Sequence, residues 1–233
     1  MPRLRYTLRE AVGDPGEWTL TWAIADDVTL GSACGFCGRD ELRLTYEVTR
    51  AGEALWICPT CVSRYPLRAI LDGYSLTANG KRDQVHGLTA RIKQQTCQDV
   101  IRKVQVAVNE PEIDEVLVYF DRNLQLSPLH AARLFTALPR LGEPIDPRIF
   151  EIRTRSVAHQ DEFGSLDEAA RAVLWPALTP VQRRRLTALG HAPAGQAARR
   201  MGKRAKPGVA ELPGSRMTDL TEPAGLNPQT KSI

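Results

Sequence analysis

Four of the five cysteines in this 233-residue chain occur as two Cys-x-x-Cys pairs. Cys34 and Cys37 form the first pair, and Cys58 and Cys61 form the second, with residues 38–57 between them. One such turn lets two sulfurs reach a single ion at about 2.3 Å, and two turns complete a tetrahedron. The pattern therefore predicts one Zn²⁺ held by four thiolates. Because four protein ligands leave no open coordination position, we expect this zinc to be structural rather than catalytic.

Disulfide bonds or buried free thiols are the alternatives for the same four cysteines. The first residues, Met1 to Tyr6, lack the apolar stretch of a secretory signal. We therefore expect a reducing, cytoplasmic environment, in which disulfides are disfavoured and metal binding is favoured.

The residues between the pairs predict the elements that hold the sulfurs in place. Apolar and polar residues alternate over 42–48, a polar run follows over 49–53, and Leu55 to Ile57 predicts a returning strand. Gly38 suits the tight turn after the second cysteine, because glycine accepts a positive φ at little cost. The result is a metal-binding turn, a hairpin and a second metal-binding turn.

With CxxCG at Cys34–Gly38 and CPxC at Cys58–Cys61, the chain resembles the zinc-ribbon and treble-clef families over about residues 30–72. The resemblance implies a metal but no particular function. In a treble clef the second turn opens a helix. Helical structure from Pro66 to Leu71, where proline fits a first turn, would favour the treble clef over the ribbon.

The whole chain predicts an α+β protein in four parts. Residues 1–72 are expected to form a small β-rich zinc module, treble-clef-like or zinc-ribbon-like. In it, every second residue from 18 to 24 is apolar, so that Trp18, Leu20, Trp22 and Ile24 share one face of a strand. Residues 73–87, rich in glycine and charge, predict a linker or loop. Residues 88–191 predict a mainly helical region with a short strand, and residues 192–233 a disordered basic tail.

Within the helical region, apolar residues recur at helical spacing from Leu88 to Val108, and Cys97 lies on that stripe as a small buried hydrophobe. The segment Glu112–Asp121 fits either a helix or a buried strand. Ser127-Pro128 predicts a helix start, and residues 145–155 predict a short strand with one polar face.

Two basic segments suggest nucleic-acid contacts. Leu166–Leu189 is similar to a helix-turn-helix, whose second helix enters the DNA major groove, and Arg183 and Arg184 lie on that helix. Helix pairs with short loops are also common without any DNA, and the three consecutive arginines 183–185 point in three directions. This interpretation and a purely structural helix pair both remain open.

The tail is the second basic segment. Residues 192–233 hold seven basic and three acidic residues, an excess that equals the net charge of the whole chain, +4. A basic cluster in this tail could bind phosphates by counterion release, or it could act only as a solubilising extension. Its members are Arg199, Arg200, Lys203, Arg204 and Lys206.

Other functional classes find little support. The four histidines are isolated, and neither a GxxxxGK loop nor an HExxH motif occurs, so we do not expect an enzyme or a small-molecule substrate. No apolar run approaches the roughly 20 residues needed to cross a bilayer. The sequence favours a zinc-stabilised nucleic-acid-binding protein, with DNA preferred, or a regulatory protein. The alternative is a protein-interaction adaptor without nucleic-acid affinity.

Overall fold

The computed structural model describes residues 7–195, and these form an α+β fold with an N-terminal five-stranded sheet followed by helices. The strands are β1 (Thr19–Asp26), β2 (Leu44–Arg50), β3 (Glu53–Ile57), β4 (Arg68–Leu71) and β5 (Tyr74–Ser75). The α-helices are α1 (Pro59–Arg64), α2 (Ala78–Val108), α3 (Pro111–Asn123), α4 (Pro128–Ala137), α5 (Val157–Ser165), α6 (Glu168–Leu174) and α7 (Pro180–Ala188). Short 3-10 helices lie at Glu10–Val12, Pro15–Glu17, Leu138–Leu141, Pro147–Ile149 and Trp175–Ala177. Within the described part, no helix has the length and apolarity that a membrane crossing requires.

The sheet has the strand order β3-β2-β1-β4-β5. The predicted hairpin between the cysteine pairs is confirmed: β2 and β3 pair antiparallel, with Arg50 opposite Glu53. Ala51 and Gly52 connect them, both at positive φ (46° and 88°), which is the backbone of a tight two-residue hairpin turn. Strand β1 pairs antiparallel with β2 and parallel with β4, so that it occupies the centre of the sheet.

The predicted alternation along β1 holds only in its first half. Trp18 and Leu20 are buried, but the register to β2 shifts between Leu20 and Ile24, and Trp22 takes a positive φ of 67°. A β-bulge of this kind turns the following side chains away from the original face. Trp22 instead donates its indole N–H to the carbonyl oxygen of Ile70 (2.6 Å), and Ile24 is only half-buried.

The loop expected over residues 73–87 is wrong. Residues 74–75 form β5, and α2 begins at Ala78, capped by Thr77, whose hydroxyl accepts a hydrogen bond from the Gly80 amide (3.1 Å). Glycine inside a helix costs about 1 kcal/mol, but the helix gains tertiary contacts here, since Val85 is buried against the N-terminal core. The division into zinc module and helical region stays a prediction, because one helix runs from one to the other.

Three further segments differ from expectation or resolve an alternative. The helix expected from Pro66 is wrong, because residues 68–71 pair with β1 as β4, and the helix after the second cysteine pair is instead α1. The ambiguous segment 112–121 is helical and lies in α3. The strand expected within 145–155 is a 3-10 turn at Pro147–Ile149 and a single bridge between Leu126 and Ile152, because Asp146 caps that turn.

The buried side chains form two clusters that meet along α2. The first surrounds the cysteine pairs and includes Trp18, Phe36 and Val85; the second fills the helical region and includes Cys97, Ile101 and other residues of α2 to α7. The N-terminal part of α2 thus packs in the first cluster, and its C-terminal part packs in the second.

A buried ion pair also joins the sheet to the helical region. The Arg43 guanidinium forms two hydrogen bonds to the Asp26 carboxylate (2.9 and 3.0 Å). It also donates to the carbonyl oxygens of Lys93 in α2 (2.9 Å) and Ile149 (2.7 Å). These hydrogen bonds offset the free-energy cost of removing the charged guanidinium from water.

Candidate metal centre

The first cysteine pair lies on a tight turn. The Gly38 amide donates to the Cys34 carbonyl oxygen (2.9 Å), and the Cys34 amide donates to the Arg39 carbonyl oxygen (2.8 Å). Gly38 has a φ of +69°, as the sequence predicted, and a Cβ there would lie 2.7 Å from a guanidinium nitrogen of Arg9. The backbone conformation therefore favours glycine, and a larger residue would also have to displace the end of the Arg9 side chain.

The second pair lies at the start of α1. Cys58 is the residue before the first helical turn, and Pro59 occupies the first helical position, where its missing N–H costs nothing. The Cys61 amide donates to the Cys58 carbonyl oxygen (2.9 Å), which places Cys61 one turn further along. The two turns are joined directly, because the Cys58 amide donates to the Cys34 sulfur (3.2 Å).

The structure brings all four predicted sulfurs together. Their atoms lie within 4.8 Å of one another, with 3.8 Å between the sulfurs of Cys34 and Cys61 and 4.0 Å between those of Cys37 and Cys58. A tetrahedral site with metal–sulfur bonds of about 2.3 Å requires sulfur–sulfur distances of about 3.8 Å. The cluster is therefore compatible with a bound metal ion such as zinc. Cys34, Cys58 and Cys61 are buried, and Cys37 is half-buried.

Three of the thiols, those of Cys34, Cys58 and Cys61, shift one another's pKa. Hydrogen bonds from the thiols of Cys58 and Cys61 lower the pKa of Cys34 strongly. The bond to Cys34 in turn raises the pKa of Cys58 to about 11, and the bonds to Cys34 and Cys58 raise that of Cys61 strongly. These opposed shifts reflect competition for negative charge between crowded sulfurs, and a metal ion bound among them would favour the thiolate form.

An aromatic shell surrounds the first turn, and the sequence alone did not identify it as part of the site. Phe36, between the two cysteines of the first pair, is fully buried and makes edge-on contacts with Trp18 (5.7 Å between ring centres) and Tyr65 (5.9 Å). Such a shell excludes water from the sulfurs and stiffens the ligand turns.

Cys97 does not belong to the cluster. It is buried in the helical core, as expected of a small hydrophobe, and burial raises the pKa of its thiol. Its sulfur also contacts the Arg43 guanidinium (3.5 Å) and the Ile149 carbonyl oxygen (3.6 Å), a polar environment that the helical stripe did not reveal.

The basic residues predicted to contact nucleic acid lie apart from the cysteines in the chain. The predicted helix pair is present as α6 and α7. In α7, Arg184 is exposed, whereas Arg183 is half-buried and donates to the Pro176 carbonyl oxygen (2.7 Å), which favours a structural role for it. The tail cluster Arg199, Arg200, Lys203, Arg204 and Lys206 lies outside the described residues.

A serine, a histidine and a glutamate also meet in the helical region, but not as a nucleophile site. The Ser127 hydroxyl caps α4, donates to Glu162 (2.9 Å) and lies 2.7 Å from Nδ1 of His130. Ser127 is only 3% exposed, and the carboxylate contacts the serine rather than the histidine. The three groups therefore form a partly buried hydrogen-bond network at the start of α4, without the carboxylate–histidine contact of a relay that activates a serine.

Comparison with known proteins found no matching family model, no matching curated protein and no matching solved structure.

Proposed function

We propose that this chain is a zinc-stabilised nucleic-acid-binding protein, with DNA the preferred partner. One observation carries the zinc assignment: four cysteine sulfurs, brought together from two turns, have the spacing of a closed tetrahedral site. With all four positions taken by protein sulfurs, the metal stabilises the fold and does not activate a substrate.

The fold around the cysteines supports a treble-clef-like arrangement over a zinc ribbon. A hairpin, β2–β3, separates the two turns, and the second turn opens directly into α1. Helix α1 has only six residues, and β4 follows it, so the likeness is confined to the ligand turns and the elements next to them.

Nucleic-acid binding is supported by charge placement. Arg184 and Arg185 are exposed on α7, which precedes the tail that carries the net positive charge of the chain. Flexible or surface-exposed arginine and lysine groups bind nucleic acid by neutralising phosphates and releasing counterions. A protein-interaction adaptor, with the same zinc site and no affinity for nucleic acid, is the competing function that experiment must separate.

Metal content tests the zinc assignment. Replacing Cys37 by serine should release the metal and destabilise the N-terminal module, because a structural zinc contributes folding free energy directly. The matched control is Cys97→Ser, which should leave the metal content unchanged. Elemental analysis of the purified protein distinguishes three outcomes. One equivalent of zinc supports the proposal, and one equivalent of iron shows that the site holds iron instead. A folded protein without any metal contradicts the metal assignment.

A salt series tests nucleic-acid binding. Anisotropy with labelled double-stranded and single-stranded DNA and RNA should show affinity that falls as salt rises. Replacing the five basic residues of the tail cluster with alanine should flatten the plot of log affinity against log salt by up to about 3.5 to 4.5 units. The matched control replaces Arg216 and Lys231, which lie in the tail outside the cluster. No binding of any nucleic acid at low salt, together with capture of one defined protein partner, would favour the adaptor.

A further inference from the structure

A cleft of about 950 Å³ lies between the candidate metal centre and the helical region. Cys58, Pro59 and Thr60 of the second ligand turn line one side together with Arg39, and Asn123 to Gln125, after α3, line another. The cleft is polar as well as apolar, and its lining includes Arg43, whose side chain is 9% exposed. It is large enough to hold several heavy-atom groups of a ligand rather than a single water molecule.

One face of α2 forms a wall of this cleft. His86, Thr89, Lys93 and Cys97 line it at successive turns of the helix, as do Ala90 and Gln94 beside them. Such three- and four-residue spacing places side chains on one helix face. His86 and Lys93 are exposed on it, so their polar groups are available to a ligand.

The charges of the cleft favour an anion. Arg43 is paired with Asp26, and Arg148 is paired with Glu41 and Asp146. Three further cations line the cleft with no acidic partner in the described part of the chain: Arg39, Lys93 and Arg153.

The Arg153 guanidinium donates to the side-chain oxygen of Asn123 (2.8 Å), which is itself a lining residue of the cleft. The lining acid that has no cationic partner, Glu151, accepts a hydrogen bond from Gln125 (2.9 Å). The lining therefore keeps an excess of positive charge.

Unusual backbone conformations gather at the same place. Leu30, Glu41 and Leu124 line the cleft, and each has a positive φ (58°, 52° and 57°) although none is glycine. Leu124 is also 49% exposed, an apolar side chain at the end of α3. Left-handed non-glycine residues cost free energy and occur preferentially where a functional surface is being shaped.

We propose that this cleft binds a phosphate-bearing ligand through Arg39 and Lys93, with Arg153 as a third cation. The inference rests on the proposed nucleic-acid function and adds a phosphate site within the folded part of the chain. Among the described lining residues the aromatic rings are the buried Phe120 and the single exposed imidazole of His86, so the three cations favour recognition through phosphates over a platform of stacked bases. Phosphate of this kind can come from a nucleic-acid strand or from a free nucleotide.

The test uses the full-length, metal-loaded protein and the double variant Arg39→Ala with Lys93→Ala. Both side chains are exposed and take part in no described ion pair, so the variant should fold normally. Arg91→Ala is the matched control, because Arg91 is an exposed cation on α2 that does not line the cleft. The probes are labelled oligothymidylate, followed by anisotropy across a salt series, and ATP, followed by calorimetric titration.

With the strand as the ligand, the double variant should reduce the salt slope by about 1.4 units, at about 0.7 per phosphate contact, whereas Arg91→Ala should leave it unchanged. If the protein binds ATP but not oligothymidylate and the double variant loses that binding, the cleft assignment holds with a free nucleotide as the ligand, and nucleic-acid binding is judged by the series on duplex DNA and RNA above. If the double variant binds oligothymidylate like the wild type and ATP does not bind, the cleft assignment is overturned while nucleic-acid binding stands. Failure of the wild type to bind either probe overturns the cleft assignment.

Discussion

Removing the carboxylate of Asp26 is the sharpest test of how the two halves of the molecule are joined. The side chains of Asp26 and Arg43 are each 9% exposed, and two hydrogen bonds of 2.9 and 3.0 Å link them. Loss of one partner from a buried pair costs about 3–5 kcal/mol, because the remaining charge is left uncompensated. Arg43 keeps two backbone carbonyl acceptors in the variant, so we expect Asp26→Ala to lose about 3 kcal/mol, at the lower end of that range.

Urea unfolding of the metal-loaded protein, followed by tryptophan fluorescence, measures this loss. Asp99→Ala is the matched control: its pair with Arg102 is 54% exposed at the carboxylate, and exposed pairs contribute at most about 1 kcal/mol. Adding Arg43→Met to Asp26→Ala should recover part of the stability, because it removes the unpaired buried charge.

Two results would refute this reasoning. If Asp26→Ala destabilises no more than Asp99→Ala, the guanidinium reaches water in solution and the pair is not buried. If Arg43→Met deepens the loss in the Asp26→Ala background, the guanidinium stabilises the fold through its carbonyl contacts alone, and the uncompensated charge is not the cause.

Further predictions concern three single positions. Gly38→Ala should destabilise by about 1 kcal/mol or more, because its φ is +69° and the new Cβ would meet Arg9. Gly87→Ala, in open space on α2, should instead stabilise by up to about 1 kcal/mol, and thermal unfolding compares the two. Burial lowers the pKa of His130 below its usual 6.5, so the folded state favours the neutral ring. The stability that comes from the neutral His130 ring should be present above pH 6.5 and lost as pH falls through the lowered pKa. In urea unfolding measured across pH, His130→Gln should no longer show this loss. A variant with the same pH profile as the wild type would contradict the prediction.

The metal ligands could be predicted from the sequence because the signal is local. Two Cys-x-x-Cys turns with a hairpin-length insert specify their own geometry, and a glycine after the second cysteine marks the turn that the backbone requires. Local chemistry of this kind depends little on the rest of the fold, and the structure brings the four sulfurs together accordingly.

The errors arose where tertiary contacts override local preference. Glycines and charges over 73–87 are typical of a loop, yet packing of Val85 extends α2 through them. Residues 68–71 follow a proline that suits a helix start, yet they become β4 because β1 offers a free edge for pairing. Neither contact can be inferred from residues close in sequence.

The sequence did not predict the ion pair between Asp26 and Arg43, or the cleft, for the same reason. Asp26 and Arg43 are 17 residues apart, and Arg43 contacts a carbonyl 106 residues further along the chain. Nothing in the hydrophobic pattern distinguishes such a buried charge from the many exposed ones around it. The cleft also depends on six separate stretches of the chain that only the folded protein brings together.

Helix α2 makes these observations parts of one arrangement. Its first half packs Val85 against the cysteine cluster, its middle presents His86 and Lys93 to the cleft, and its second half carries Cys97 into the helical core. Because α2 packs against both hydrophobic clusters and protein interiors are close-packed, the helix cannot move relative to one cluster without disturbing the other. A metal bound at the four cysteines would stiffen the turn that lines the cleft, and would therefore also stabilise the geometry in which Arg39 and Lys93 face a ligand together. Metal removal should therefore weaken phosphate binding even though Arg39 and Lys93 are not themselves metal ligands.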